Sequence, residues 1–268
     1  MHSRILIFFL LLLSSTAFAQ PDDENPHRAL YKANKVKSLK VYEYRYRKDK
    51  ARGRGKLLFD YKYDTTGAVT VSDFHDFGRY HVEYKYDERG QITDEIADIY
   101  GPFHTYYYYE YDAKGRMTEV SKSHNGGQWN YTYDEASNRV KIKWLTMGSL
   151  DTNSFFVDVF EYNDQKQMTK MTRYRNGSEL YFYKTFEYDA TGNMIKETRF
   201  QNNEATDVFL YHYNDQHKCI AQEVTGAEGH EISWAKTSYD ANGLETEETG
   251  QLSFEERPYY RKYVYEYY

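Results

Sequence analysis

Aromatic and polar residues alternate along most of the chain. In one segment Phe59, Tyr61 and Tyr63 alternate with Asp60 and Lys62. A period of two residues is typical of a β-strand with one face buried and the other in water. The apolar spacing of an amphipathic helix is not sustained over three turns anywhere in the sequence. The pattern therefore predicts an all-β fold.

The alternating segments end in a repeated motif, which reads aromatic residue, any residue, Tyr-Asp, two further residues and Gly. The second tyrosine recurs every 22 to 29 residues. Some copies lack the aspartate or the glycine, and the first half of a ninth unit follows at Tyr265 and Tyr267. The anchor residues of the eight units are Tyr63, Asp64, Gly67, Tyr86, Asp87, Gly90, Tyr111, Asp112, Gly115, Tyr133, Asp134, Tyr162, Tyr188, Asp189, Gly192, Tyr213, Tyr239, Asp240 and Gly243.

Each unit reads as a β-hairpin. An aspartate at the start of a turn can accept a hydrogen bond from the backbone two residues on, and a glycine supplies the positive φ of a bulged turn. Lys166 and His217 stand in the glycine region of two copies, where they either adopt this costly conformation or use another turn. About eight tandem hairpins would pair edge to edge, because one hairpin cannot bury its own face. The sequence predicts a long curled antiparallel sheet, open or partly closed into a spiral.

The composition shows what fills the core of this sheet. Mean hydropathy is −0.91 and the net charge is −6, values that in a chain poor in aliphatic residues usually indicate disorder. The chain nevertheless has 31 Tyr, 15 Phe and 3 Trp, and each aromatic side chain can bury roughly 150–250 Å². Both a disordered chain and an enzyme domain with an aliphatic core are therefore excluded, and a periodic aromatic ladder is expected to replace the aliphatic core.

The N-terminal residues predict export. Arg4 precedes nine apolar residues at 5–13, and Ala17-Phe18-Ala19 forms a signal-peptidase site, so residues 1–19 are expected to be a removable signal peptide. Nine apolar residues are too few to cross a bilayer. We expect a disordered leader at residues 20–38, a repeat domain at residues 39–268 and no membrane span in the mature chain. The expected location is the periplasm, the medium or the cell surface of a Gram-negative bacterium.

The runs at residues 133–140 and 188–193, which contain Tyr133-Asp134 and Tyr188-Asp189, resemble the YD repeat of the RHS family. This family includes bacterial polymorphic toxins and the teneurins, and the resemblance extends over roughly residues 40–268. It implies hairpins that join into a long sheet spiralling into a hollow shell. Toxin-type members are far longer and carry an Asp-Pro core motif before the toxin domain, but this sequence has no Asp-Pro pair. The chain therefore resembles a short member without that core or toxin domain, and no toxin or autoproteolytic residue is carried over.

Five aromatic residues are candidates for contact with a ligand. Trp129, Trp144 and Trp234 fall outside the dominant register, and Tyr106 and Tyr108 belong to a run of four tyrosines that must occupy both faces of a strand. Aromatic rings can pack on sugar rings, although the aromatic ladder as a whole is expected to be structural. The turn aspartates are too sparse for calcium, and the acidic and histidine residues at 73–76 lack a convergent partner. We expect no metal and no cofactor.

Three functions remain open. No Gly-x-Ser-x-Gly, phosphate-loop or dinucleotide motif occurs, so an enzyme is not expected. The mild acidity argues against nucleic acid, and the basic residues within 35–54 are expected to form a solvated loop. The first hypothesis is an exported repeat scaffold that binds a polysaccharide or a surface protein, with self-association through open sheet edges. The alternatives are an accessory or remnant of an RHS-type toxin delivery system, and an outer-membrane β-barrel.

Overall fold

The computed structural model describes residues 27–48, 50–75, 80–98, 101–123, 127–136, 138–145, 155–252 and 257–268. The predicted signal peptide at residues 1–19 lies outside these ranges, as do residues 20–26. One helix, α1 (Arg28–Ala33), precedes the strands. The strands are β1 (Val36–Tyr46), β2 (Ala51–Tyr63), β3 (Val69–Phe74), β4 (Tyr80–Tyr86), β5 (Ile92–Asp98), β6 (Pro102–Tyr111), β7 (Met117–Lys122), β8 (Gln128–Tyr133), β9 (Arg139–Leu145), β10 (Phe155–Tyr162), β11 (Met168–Arg175), β12 (Glu179–Tyr188), β13 (Met194–Gln201), β14 (Glu204–Tyr213), β15 (Cys219–Gly226), β16 (Glu231–Tyr239), β17 (Glu245–Gln251) and β18 (Tyr259–Tyr267).

The eighteen strands form one closed antiparallel barrel. Each strand pairs with its neighbours in the chain, and β1 pairs with both β2 and β18. Leu39 and Val41 of β1 lie opposite Tyr265 and Tyr263 of β18. The prediction of tandem antiparallel hairpins is confirmed, but the prediction of an open or partly closed spiral is wrong. Strand twist and the bulge in each hairpin curve the sheet until its first and last strands meet, and this meeting satisfies the backbone groups of both edges.

The segment before the first repeat is ordered where the structure describes it. Residues 28–38, expected from the sequence to belong to a disordered leader, instead contain α1 and the start of β1. Val36 is 1% exposed, and Tyr31 of α1 packs in the same core cluster. Because β1 is the strand that closes the barrel, this segment is part of the fold. Among the described residues, no helix has the length and apolar composition that a bilayer crossing requires.

The repeated turns have the predicted geometry. The Asp64 Oδ1 accepts hydrogen bonds from the backbone N–H groups of Thr66 at 2.8 Å and Ala68 at 3.0 Å, and Gly67 adopts a φ of +80°. A register shift next to Tyr63 marks the bulge. The open question about the two copies without glycine is also answered, because Lys166 and His217 adopt φ values of 63° and 58°.

The two faces of the strands differ sharply in chemistry. The aromatic anchors of a unit face the barrel interior, as Phe59, Tyr61 and Tyr63 do in the cluster shared by α1, β1, β2 and β18. A second interior cluster lies between β6 and β10 around Val120 and Ile142. The middle residue of the aromatic-x-Tyr motif faces outward and is exposed, as in Lys62, Lys85, Glu110, Thr132, Glu161, Glu187, His212, Ser238 and Glu266.

The second tyrosine of most units also joins successive hairpins. Its hydroxyl donates a hydrogen bond of 2.6–2.8 Å to a backbone carbonyl on the return strand of the preceding hairpin. Burial raises the pKa of Tyr86 and of Tyr213 to about 12, so both hydroxyls remain protonated donors even in moderately alkaline solution. The bonds run from Tyr86 to Val69, Tyr133 to Met117, Tyr162 to Arg139, Tyr188 to Met168, Tyr213 to Met194 and Tyr239 to Cys219.

The hydroxyl of Tyr213 should contribute measurably to stability. Replacing Tyr213 by phenylalanine removes the donor to the Met194 carbonyl at 2.8 Å and is expected to lower the free energy of unfolding by about 0.5–1.5 kcal/mol. Urea denaturation would measure the difference. Tyr108→Phe is the matched control, because Tyr108 is 58% exposed, and an equal loss in both variants would contradict the role assigned to the Tyr213 hydroxyl.

The turn aspartates make stability depend on pH. Hydrogen bonds from Asn193 and Thr191 lower the pKa of Asp189 well below its ordinary value. A lowered pKa in the folded state stabilises the protein above the unfolded pKa of about 4, and this stability is lost as the pH falls through the folded pKa. Asp189→Asn should therefore narrow the difference in melting temperature between pH 7 and pH 3.

The Asp189→Asn variant should keep its turn, because two native copies use asparagine at the same position. The Asn163 Oδ1 accepts the same two backbone hydrogen bonds at 3.0 and 2.9 Å, from Gln165 and Gln167. Asp164→Asn, at an exposed site in that turn, controls for the loss of one charge. Equal pH dependence in wild type and the Asp189→Asn variant would show that the turn carboxylate does not contribute.

Candidate functional site

The barrel has two chemically different ends. In an up-and-down barrel, alternate connections lie at opposite ends, so the turns of the eight YD hairpins share one end with α1. We call this the turn end. The other end carries the connections β1–β2, β3–β4 and so on to β17–β18, and we call it the loop end.

The turn end is occupied by α1. The Arg28 guanidinium donates to the Gly90 carbonyl at 2.8 Å and to the Thr66 hydroxyl at 3.0 Å. The ring centroid of Tyr31 lies 4.7 Å from that of Tyr63. The backbone of α1 passes so close to Gly67 that a Cβ there would lie 2.2 Å from the Arg28 carbonyl oxygen. These contacts bind the helix to the repeat turns.

The loop end carries a cleft of about 1340 Å³ between the β1–β2 hairpin and the start of β18. Most of the described side chains that line it are basic, one is acidic, and three are tyrosines. The basic residues are Arg45, Arg47, Lys48, Arg52, Arg54, Lys56 and Arg257, and the others are Glu43, Tyr44, Tyr46, Tyr259 and Pro258. The cleft is therefore a concave cationic surface on an acidic protein.

The register of the hairpin concentrates this charge. Arg45 of β1 lies directly opposite Arg52 of β2, and both side chains are exposed. Like charges directly opposite each other destabilise a sheet. Gly53 adopts a φ of +76° between Arg52 and Arg54, where the pairing is irregular. The hairpin thus places arginines side by side, an arrangement that does not by itself stabilise the sheet.

The residues beneath the cleft are buried and in contact with one another. Arg261 is 2% exposed, and its guanidinium lies 2.9 Å from Glu248 and 3.4 Å from Glu43. Tyr259 is also buried, and its ring centroid lies 4.2 Å from the Arg261 guanidinium carbon. Glu43, the described acidic residue of the cleft, therefore shares the Arg261 guanidinium with Glu248.

Sequence reasoning did not predict this cleft. The basic residues within 35–54 were expected to form a solvated loop, but β1 and β2 include most of that range. The sequence signal for the cleft is the run of basic residues itself. Whether these residues form a cleft depends on the length of the β1–β2 hairpin and on the position of β18, which brings Arg257 and Tyr259 beside the hairpin.

The five aromatic residues predicted to contact a ligand do not come together. Trp129 and Trp144 lie opposite each other on β8 and β9 and pack against the interior cluster. Tyr106 and Tyr108 are exposed on the outer face of β6. Trp234 lies on β16, ten strands after the β6 strand of Tyr106 and Tyr108. The Lys236 ammonium lies 5.7 Å from the centroid of its ring. Sugar binding by Tyr106, Tyr108 and Trp234 stays a prediction, whereas Trp129 and Trp144 are part of the interior packing.

Buried ion pairs cross the inner face beside these tryptophans. The Arg173 guanidinium donates to both carboxylate oxygens of Asp158 at 2.7 and 2.8 Å. Arg173 also lies 4.8 Å from the ring centroid of Trp144. Lys184 lies 2.7 Å from Glu197, and burial lowers the pKa of Lys184 although Glu197 opposes this shift. The interior is thus built from rings and paired charges.

Asp73, a buried member of the acidic and histidine group at residues 73–76, pairs with a histidine of the next strand. The Asp73 carboxylate lies 2.8 Å from His81 Nδ1, whose other ring nitrogen lies 3.2 Å from Glu83. Asp76 lies outside the described residues. Across the described ranges, no three His, Cys, Asp or Glu side chains are arranged to hold a metal ion. Cys219 is partly buried, and burial raises the pKa of its thiol.

Comparison with solved structures finds two kinds of protein. A porin-like protein from Bacteroides uniformis ATCC 8492 is 9% identical with a TM-score of 0.46, and the match covers 87% of this chain and 97% of that chain. The TcdB2-TccC3-Cdc42 structure is 10% identical with a TM-score of 0.39, and the match covers 85% of this chain but only 16% of that chain. No curated protein matches the sequence.

The RHS Repeat family matches residues 111–143. This segment begins at Tyr111-Asp112, includes Tyr133-Asp134 and extends into β9. It is one of the places where the tyrosine hydroxyl links successive hairpins, from Tyr133 to the Met117 carbonyl. The match confirms the resemblance that the YD motifs indicate: this chain carries an RHS repeat.

Proposed function

We propose that the protein is an exported, non-enzymatic barrel scaffold that binds an envelope or extracellular partner, a polysaccharide or a protein, at its loop end. One observation carries this proposal: the loop end presents a wide cationic cleft, while the turn end is occupied by α1 and the repeat turns. Binding residues tend to lie on loops held by a rigid scaffold. The closed barrel is such a scaffold.

The chemistry of the cleft favours binding over catalysis. General acid–base catalysis needs a titratable group with access to the substrate and a pKa near the working pH. The described lining groups are mainly guanidinium and ammonium groups, and the Glu43 carboxylate lies against Arg261. Such a surface supplies donors and positive charge to a ligand.

The two alternatives differ in their support. The RHS repeat at residues 111–143 supports an accessory or remnant of an RHS-type toxin delivery system, and a neighbouring toxin gene would favour it. A closed barrel fits an outer-membrane protein, but such a barrel needs an apolar outer band about 25 Å tall. The outward strand positions here include exposed Lys62, Glu83, Lys85, Glu110, Lys141, Lys143, Glu161, Glu187, Lys236, Glu247 and Lys262. We therefore favour a barrel that faces water on its outside.

Purification and a binding panel test the proposal. The chain from residue 20 onward is expected to stay in solution without detergent and to bind at least one member of a panel of glycans and envelope fractions. Fractionation of the native host should recover the protein outside the cytoplasm. A requirement for detergent would favour the outer-membrane alternative, and absence of binding to every glycan and fraction would contradict the scaffold function.

A further inference from the structure

We propose that the loop-end cleft binds an anionic polysaccharide, a chain of sugar rings that carry carboxylate or phosphate groups. This inference rests on the proposed function, and it narrows the partner of the same cleft to one chemical class. Three observations lead to it: the charge of the cleft, the like-charged pair in the hairpin and the tyrosines at its rim.

The charge of the cleft is opposite to that of the protein. The whole chain has a net charge of −6. Residues 43–56 and 255–258, the parts of the sequence from which the charged lining residues come, contain eight basic and four acidic residues. The excess of positive charge persists when every acidic residue of those segments is counted. A concave surface of one sign concentrates ligands of the opposite sign.

The choice of basic residue indicates the group that is bound. Five of the seven basic lining residues are arginines. The planar guanidinium offers paired donors that match the two oxygens of a carboxylate or phosphate, whereas an ammonium acts as a point charge. The Arg45–Arg52 pair repels across the strands without a ligand. An anion bound between the two side chains would attract both guanidinium groups and so offset their mutual repulsion.

The tyrosines beside the arginines suit a sugar polymer. The rings of Tyr46 and Tyr260 stack with centroids 6.1 Å apart, and Tyr44 packs edge-on against Tyr260 at 5.8 Å. A ring that already stacks on a neighbour has one face fewer for a nucleobase, while its edge and hydroxyl still pack against and hydrogen-bond to a sugar. An exported protein also meets polysaccharides. These points favour a polysaccharide over a nucleic acid.

A glycine holds the Tyr44 ring in place. A Cβ at Gly55 of β2 would lie 2.6 Å from the Tyr44 ring, so the ring lies directly across the glycine. The ring thus packs against Gly55 and Tyr260 before any ligand arrives, and such prior packing reduces the entropy lost on binding. Alternation along β1 places the Tyr44 and Tyr46 rings on the opposite face of the strand from Arg45, and all three residues line the cleft. A polymer that crosses the rim of this hairpin would meet charge partners on one face and a packing surface on the other.

Titration calorimetry with polygalacturonate as the anionic probe tests the proposal. The chain from residue 20 onward is expected to bind polygalacturonate at 50 mM salt, to bind it about tenfold or more weakly at 200 mM salt, and not to bind neutral dextran. Arg45→Glu combined with Arg52→Glu should weaken binding about tenfold or more, because two attractive charges become repulsive. Tyr46→Ala should weaken it by a smaller factor.

Lys62→Glu combined with Lys141→Glu is the matched control, since it changes the charge equally at exposed positions on the outer face of the barrel. Equal melting temperatures would show that all variants fold. Equal loss of binding in both double variants would overturn the cleft as the site. Tighter binding of a single-stranded oligonucleotide than of polygalacturonate would overturn the polysaccharide in favour of nucleic acid.

The remaining outcomes separate this inference from the function on which it rests. Binding to an envelope fraction or a surface protein without binding to polygalacturonate would overturn the anionic polysaccharide and leave the scaffold function standing. Absence of binding to every probe would overturn both. Binding to polygalacturonate that is lost only in the Arg45→Glu, Arg52→Glu variant supports both.

Discussion

Replacing Asp158 by alanine is expected to lower the free energy of unfolding by about 3–5 kcal/mol. Asp158 is 2% exposed and Arg173 is 5% exposed, and the two side chains share two hydrogen bonds of 2.7 and 2.8 Å. The variant keeps the buried guanidinium but removes this carboxylate. The rings of Trp144 and Phe182, 4.8 and 5.0 Å from the Arg173 guanidinium carbon, replace only part of the lost interaction. Denaturant unfolding at equilibrium measures the change.

Two controls distinguish the buried charge from the loss of a contact. Asp158→Leu combined with Arg173→Met removes both charges and is expected to be far less destabilising than Asp158→Ala, because no charge stays buried. Lys196→Ala breaks the Glu187–Lys196 pair, which has the same 2.7 Å separation but is exposed, and should cost less than about 1 kcal/mol. A cost for Asp158→Ala as small as that of Lys196→Ala would contradict the assigned role.

Replacing Gly67 by alanine is expected to lower the free energy of unfolding by about 2–5 kcal/mol and to release α1 from the turn end. Gly67 has a φ of +80°, which is unfavourable for alanine, and the added Cβ would lie 2.2 Å from the Arg28 carbonyl oxygen and 2.8 Å from the Lys32 nitrogen. Both contacts are with backbone, so the helix must move. Faster tryptic cleavage after Arg28 and Lys32 would report its release.

Gly115→Ala separates the cost of the unfavourable φ from the cost of the collision with α1. Gly115 occupies the same position of its own turn with a φ of +77°, but nothing lies within 4 Å of its added Cβ. This variant should lose only the stability that a positive φ costs an alanine, about 1–2 kcal/mol. Tryptic cleavage of α1 should be unchanged. Equal losses of stability and equal cleavage in the two variants would show that α1 is not packed on the Gly67 turn.

Local chemistry made the hairpins predictable. The alternation around Tyr61 and the Asp64–Gly67 turn depend on neighbours within ten residues, and the structure shows both as expected. The turns at Lys166 and His217 were less certain, since sequence alone cannot show whether the rest of a hairpin compensates for a costly φ. In the structure the Asn163 and Asn214 side chains still accept the turn hydrogen bonds, which helps to hold this conformation.

The candidate site was less predictable, because it depends on residues distant in sequence. Arg45 and Arg257 line one cleft although 212 positions separate them in the chain. The sequence predicts Trp129 and Trp144 as ligand contacts, but the register of β8 and β9 turns both rings toward the interior. A one-residue change of register moves a side chain to the other face of a sheet, so a search by residue type alone cannot place it.

The sequence by itself determined the all-β architecture, the number of hairpins and which residue of each aromatic-x-Tyr motif faces water, because these features follow from short-range alternation and turn chemistry. Only the tertiary structure decided that the sheet closes, that α1 and β1 belong to the barrel, and that a cationic cleft opens at the loop end. Closure depends on twist summed over eighteen strands until Leu39 meets Tyr265. That sum is a property of the whole sheet, and no single repeat contains it.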